Sequence, residues 1–120
     1  MITDPAYLVG LGGAIGAVAR YFVGEIVPTE SFPFGTLTVN VLGSFALGFV
    51  TFLGVGEGLL LLVGTGACGS FTTFSSFSVD TVQLYEEGQD YRAIAFATIN
   101  LLGALLAIGV AWEANALLVG

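Results

Sequence analysis

The sequence predicts an all-α membrane protein of four transmembrane helices, the third of them broken. Three observations predict it. Hydrophobic residues make up 56% of the 120-residue chain and charged residues only 9%, whereas a soluble domain carries about 25% charged residues to keep its large surface wet. Mean hydropathy is +0.97. Four separate stretches reach the roughly 20 apolar residues that a helix needs to cross a bilayer. The length, residues 1–120, suits a single domain.

The first span is expected from Ala6 to Val27, with Arg20 its only basic residue and Glu25 near its end. The second, FGTLTVNVLGSFALGFVTFL from Phe34 to Leu53, holds no charge at all. The third runs from Leu59 to Leu84, with Asp80 as its only charge. The fourth starts near Ala93 and ends at Trp112 and Glu113. The remaining charges lie mostly in the connections: Glu30 between Pro28 and Pro33, Glu57 in the Gly54 to Gly58 turn, and Glu86, Glu87, Asp90 and Arg92 between the last two spans. No cleavable signal peptide is expected, because the amino terminus has no basic region and begins with Asp4 as its first charge. The chain therefore reads as a multi-pass protein of the cell membrane.

Charge excludes several functions. Arg20 and Arg92 are the only basic residues, too few to neutralise nucleic-acid phosphates. One cysteine, Cys68, and no histidine exclude an intrachain disulfide, a zinc cluster and any histidine-based triad. The net charge of −7 fits either a very salty habitat, where acidic surfaces stay hydrated, or drift in a small sample of loop residues. Both arginines fall toward the side of the first and third connections, which gives almost no topological preference.

Gly64 to Gly69, GTGACG, follows LLLLV and matches a dinucleotide fingerprint. Such a fold needs alternating strands and helices with a polar exterior, which the rest of the chain cannot supply. Two readings remain. Gly64, Gly66 and Gly69 form a packing face for a neighbouring helix, or they break the span, with Ser70, Thr72 and Thr73 capping a second half that starts near Thr72. Unwound backbone inside a bilayer persists only where protein or a water-filled cavity satisfies it, so a break lies at an interface and its free carbonyls can hold a cation. In the following FTTFSSFS, Phe74, Phe77 and Ser78 share one helical face. Ring edges are electropositive and hydroxyls donate, so this stripe suits an anion path; Phe facing lipid is the bland alternative.

Asn40 lies at the centre of an uncharged span, with Gly43 and Ser44 on the same face, and Asn100 lies at similar depth in the fourth span near Thr98. A buried carboxamide in a bilayer either bonds another helix or serves function. Neutral donors without a mid-membrane carboxylate favour an anion over a cation. Gly12 and Gly16, four residues apart, predict a tight helix crossing, and Arg20 beyond them either snorkels, pairs with Glu25 or anchors an assembly.

The segments GGAIGAVARY (Gly12 to Tyr21), FPFGTLTVNVLGSFALG (Phe32 to Gly48) and GTGACGSFTTFSSFS (Gly64 to Ser78) together resemble the CrcB/Fluc family of fluoride channels over the whole chain. The resemblance implies a channel and not an enzyme: two chains inserted in opposite orientations form an antiparallel, dual-topology dimer, which exports fluoride passively and so protects against its toxicity. It implies that Asn40, Phe74, Phe77 and Ser78 line the fluoride pore, with Asn100 in a fourth-helix polar position. It further implies that backbone carbonyls of Gly69 and Thr72 from both chains hold a structural sodium ion, and that Arg20 matches a first-helix arginine. Phe96 and Asn100 stand where the family usually has Tyr and Ser; Asn100 can still donate but Phe96 lacks a hydroxyl, a loss that fits one half of a pair, and the resemblance leaves open a homodimer or a heterodimer with a homologous subunit. The competing reading, a small four-helix multidrug exporter, requires an embedded carboxylate; a purely structural membrane subunit requires Asn40 and the break to be packing devices.

Overall fold

The computed structural model describes residues 4–120, and every regular element among them is helical. Helix α1, Pro5–Ile26, starts with proline at its first position, where the missing N–H costs nothing. Helix α2, Phe34–Leu53, ends on Gly54 at φ 70°, a left-handed cap that glycine adopts without strain. The third span is in two pieces. Helix α3 (57–71) opens and closes with single α-turns around a π-helical stretch, Leu60–Cys68. Helix α4, Phe74–Glu86, follows after two extended residues, and helix α5, Asp90–Val119, completes the chain. All four spans are long and apolar enough to cross a membrane, as a multi-pass protein requires.

The last helix is longer than expected. It runs 30 residues to Val119, past Trp112 and Glu113, because NALLV after Glu113 contains no helix breaker and a single charge does not end a helix. At 1.5 Å per residue it measures about 45 Å, against a hydrocarbon core of about 30 Å, so it tilts or projects into the headgroups.

Packing pairs α1 with α3 and α2 with α5, while α2 also touches α3 and α4 leans on α5. The first pair is close because glycines face each other across it. A Cβ on Gly12 would run into the Leu62 backbone carbonyl, one on Gly16 into the Ala67 carbonyl and Ser70 hydroxyl, and one on Gly66 would lie 2.9 Å from the Val9 carbonyl. Gly66 is thus buried against α1, and Gly64 is buried beside Leu47 of α2, which answers to the packing reading of this stretch. In the second pair Ala107 and Ala111 are buried, with Gly48 opposite Ala111.

Much of the apolar surface is left bare. Leu11, Ile15, Val18 and Phe22 on α1 are each more than half exposed, at 57%, 56%, 54% and 60%. The three-and-four spacing makes them one stripe. A bilayer, unlike water, tolerates such a stripe.

The glycine contacts make a sign prediction. Gly→Ala inside a helix ordinarily gains about 1 kcal/mol of helix propensity. At Gly10, where an added methyl meets nothing within 4 Å, Gly10→Ala should raise the thermal unfolding midpoint in detergent slightly. Gly12→Ala and Gly16→Ala should lower it, by the ~1–3 kcal/mol that overpacking costs. Equal stabilisation at all three positions would refute the close α1–α3 contact.

Candidate functional site

The break between α3 and α4 falls at Thr72 and Thr73, whose backbones are extended (φ/ψ −82°/163° and −150°/121°). This is a few residues later than the glycines suggest: Gly69 is still helical, and the second half begins at Phe74, with Thr73 as its cap. The reason is local chemistry. The Thr73 hydroxyl accepts from the Ser76 N–H at 3.0 Å, an N-cap bond that starts a helix, while the Thr72 hydroxyl donates back to the Cys68 carbonyl at 3.0 Å and closes the preceding turn. The two threonines divide the span between them.

Asn40 holds the break open. Its Oδ1 accepts the Thr73 N–H at 2.8 Å, and its Nδ2 donates to the Thr73 carbonyl at 3.1 Å. One carboxamide thereby replaces both helical partners of an unwound residue, which the membrane interior demands. The Asn40 Nδ2 also donates to Asn100 Oδ1, on α5, at 3.2 Å. Asn40, Thr73 and Asn100 are all buried (9%, 8% and 6% exposed). The Nδ2 of Asn100 is buried without a hydrogen-bond partner.

Around this cluster lies a cavity of about 300 Å³ whose wall includes Asn40, Ser44, Thr73, Phe74, Phe77 and Asn100 and no charged residue. Gly43 makes room in it, since the Thr72 side chain lies directly over the glycine. The Phe74 and Phe77 rings are 5.7 Å apart, and Phe77 is 5.7 Å from Phe96. Phe96, wholly buried, meets Phe32 edge-on at 5.6 Å. Phe96 therefore packs the aromatic row from behind, a role that needs no hydroxyl. Phe74 is 78% exposed, so most of its surface is left uncovered by its own chain.

Ser78 lies elsewhere in detail. Its hydroxyl donates to the Phe74 carbonyl at 3.0 Å, and it is not part of the cavity wall. Arg20 is exposed and forms no ion pair among the described residues. The sequence reasoning missed Thr36, whose hydroxyl donates to Asp80 Oδ2 at 2.6 Å. That pair lines a second cavity of about 410 Å³, at the end of the bundle, together with Glu30 and Glu87. The Arg92 guanidinium donates to the Ser31 carbonyl and sits 5.4 Å from the Phe32 ring centre, which ties the 27–33 connection to the start of α5.

Comparison with known proteins places the chain in a family. The family described as CrcB-like protein, Camphor Resistance (CrcB), matches residues 7–112. The chain is 57% identical over 109 residues to the fluoride-specific ion channel FluC 2 of Haloarcula marismortui, covering 91% of this chain and 92% of the relative. It is 51% identical over 111 residues to the fluoride-specific ion channel FluC 1 of Halobacterium salinarum, covering 92% and 93%. A third relative, FluC 1 of Methanosarcina barkeri, is 42% identical over 112 residues, covering 92% and 97%. With a match across nearly all of its length and a helix break lined by neutral donors and rings, this chain belongs to the CrcB family.

Proposed function

We propose that the protein is a fluoride-selective ion channel that lets fluoride leave the cell down its gradient, without catalysis. The observation that carries the reading is the uncharged, donor-bearing cavity at the pinned break, in a chain whose relatives are named fluoride-specific channels. Fluoride is small and tightly hydrated, so a path must replace its water with several donors. Amide and hydroxyl groups do so without a fixed positive charge that would trap the ion, and the electropositive edges of Phe74 and Phe77 extend the path. Asn40, Phe74, Phe77, Ser78 and Asn100 are the residues assigned to it. Cation export is disfavoured by position: Asp80, the carboxylate inside the third span, is bonded to Thr36 in the cavity at the bundle end.

The working unit in this reading is an antiparallel dimer, of two copies or of this chain with a homologous subunit. The bare α1 stripe and the open ring of Phe74 support it, since both await covering by lipid or a second chain. A structural sodium ion at the break fits the donors present. The Thr73 N–H goes to Asn40 and the Ser76 N–H to the Thr73 hydroxyl, so the Gly69 and Thr72 carbonyls lose the donors an unbroken helix would give them. Carbonyl oxygens freed in this way suit a sodium ion. When bound, the ion supplies positive charge that offsets these carbonyls.

Purified protein in liposomes should discharge a fluoride gradient when a potassium ionophore balances charge, and pass little chloride; rapid chloride flux, or a need for a proton gradient, would overturn the channel reading. Phe74→Ile and Phe77→Ile should each lower fluoride flux by about tenfold or more, the effect of ~1.4 kcal/mol lost along the path, while Phe49→Ile, at a ring stacked on Phe45, should be nearly silent. Replacing sodium by a large organic cation during purification should lower both the thermal midpoint and the flux. Unchanged values in the organic cation would remove sodium from the proposal.

A further inference from the structure

We infer that the furrow between α2 and α5 is a binding site for an anionic phospholipid, with Arg92 holding the phosphate and the apolar furrow holding one hydrocarbon tail. The inference does not depend on the channel reading above. Two cavities that share Ile99 make up the furrow. One, of about 510 Å³, has Phe34, Tyr91, Arg92, Ala95 and Ile99 in its wall. The other, of about 340 Å³, carries on from Ile99 to Thr38, Val41, Leu42 and Gly103. Three-and-four spacing puts Arg92, Ala95, Ile99 and Gly103 on one stripe of α5, and Phe34, Thr38 and Val41 on one stripe of α2. Ala95 and Gly103, with little or no side chain, leave room between the larger Phe34, Leu42 and Ile99, which are 46%, 52% and 47% exposed.

Length and charge both select the occupant. From Arg92 to Gly103 α5 rises about 17 Å at 1.5 Å per residue, close to half of a ~30 Å hydrocarbon core. The furrow thus spans one leaflet, from headgroup level to the middle of the bilayer. Arg92 stands at its headgroup end, in the first turn of α5, and is the only charged residue in either wall. Tyr91 beside it is 90% exposed, and tyrosine is enriched at that depth. The carboxylates of the same bundle end, Glu30, Asp80 and Glu87, line the other cavity. Asp90, two residues before Arg92, falls on the far side of the helix. The guanidinium is held in place, since it donates to the Ser31 carbonyl and lies 5.4 Å from the Phe32 ring centre. An arginine head carries five N–H donors, and this one makes no ion pair among the described residues. A lipid phosphate accepts from the donors that remain. A second copy of this chain suits the furrow less well. Phe34, Thr38 and Val41 lie on the side of α2 away from Asn40, Gly43 and Leu47, which line the cavity at the break with the open Phe74. A partner seated on Phe74 leaves the furrow to lipid.

Native mass spectrometry of the delipidated protein in detergent tests this with two lipids of identical tails. Dioleoylphosphatidylglycerol should be retained at one molecule per chain, about tenfold more tightly than dioleoylphosphatidylcholine, whose own cation opposes Arg92. Arg92→Gln can still donate to the Ser31 carbonyl but has no charge. It should weaken phosphatidylglycerol by about tenfold, the scale of one hydrogen bond to a charged partner, and bring it level with phosphatidylcholine. Ala95→Phe leaves Arg92 in place and fills the furrow beside it, so it should weaken both lipids. Equal retention of the two lipids by the parent, unchanged phosphatidylglycerol retention in Arg92→Gln, or unchanged retention of both in Ala95→Phe would each overturn the inference. Covering of the furrow by protein would overturn it too. In phosphatidylglycerol liposomes, Ile99→Cys on a Cys68→Ala background should stay monomeric on non-reducing gels after mild copper oxidation, and a disulfide-linked dimer would give the furrow to a second copy.

Discussion

The bonds between the Asn40 carboxamide and the two backbone groups of Thr73, at 2.8 and 3.1 Å, are the constraint on which the rest of the site depends. A peptide group cut loose from its helix inside a bilayer has no water to turn to, and each unsatisfied group costs several kcal/mol. A side chain with a donor and an acceptor at fixed separation meets both needs at once. Because Asn40 stays in place, Thr73 can leave the helix, cap α4 and aim a new helical axis across α5. The Phe74 and Phe77 rings and the cavity wall follow from that change of direction.

The same economy of groups explains why the break is sharp. Two threonines of similar chemistry act in opposite directions, Thr72 closing the turn behind it and Thr73 opening the turn ahead. Neither bond depends on the distant fold. Their combination permits a break, and Asn40, arriving from α2, fixes it. The π-helical run of Leu60–Cys68 just before it has wider turns than an α-helix, and its Gly66 lies against α1. Close backbone contact there seats α3 on α1 up to the last turn before the break.

Charge is separated along the bundle. The cavity at the break has no charged wall residue, whereas Glu30, Asp80 and Glu87 gather in the one at the bundle end. The rings of Phe77, Phe96 and Phe32 form a continuous row, with Phe77 in the wall of the first cavity and Phe32 in that of the second. In the proposed channel an anion stays among neutral donors and ring edges, away from carboxylates whose field would repel it.

The sequence by itself determined the class of protein, the four spans and most of the residues at the break, because hydropathy over some 20 residues is set by composition and needs no neighbour. It also marked Asn40 and Asn100 as costly where they stand, since burial of a carboxamide is costly in any fold that crosses a membrane. Only the tertiary structure decided what these residues do. Whether Gly64 and Gly66 break a helix or pack against one depends on helices far away in the chain: Gly66 meets Val9 and Gly12 of α1 and Gly64 meets Leu47 of α2, which makes them packing residues. The choice of Thr73 over Ser70 or Thr72 as the cap, the end of α5 at Val119 and the Thr36–Asp80 pair were not legible for a related reason: each turns on a partner or a lack of any breaker that local pattern does not weigh. The different hydrogen-bond partners of Asn40 and Asn100 lie furthest from the sequence. Identical side chains differ here only because one faces a backbone peptide and the other faces it through the first, and hydrogen-bond direction is a property of neighbours in space.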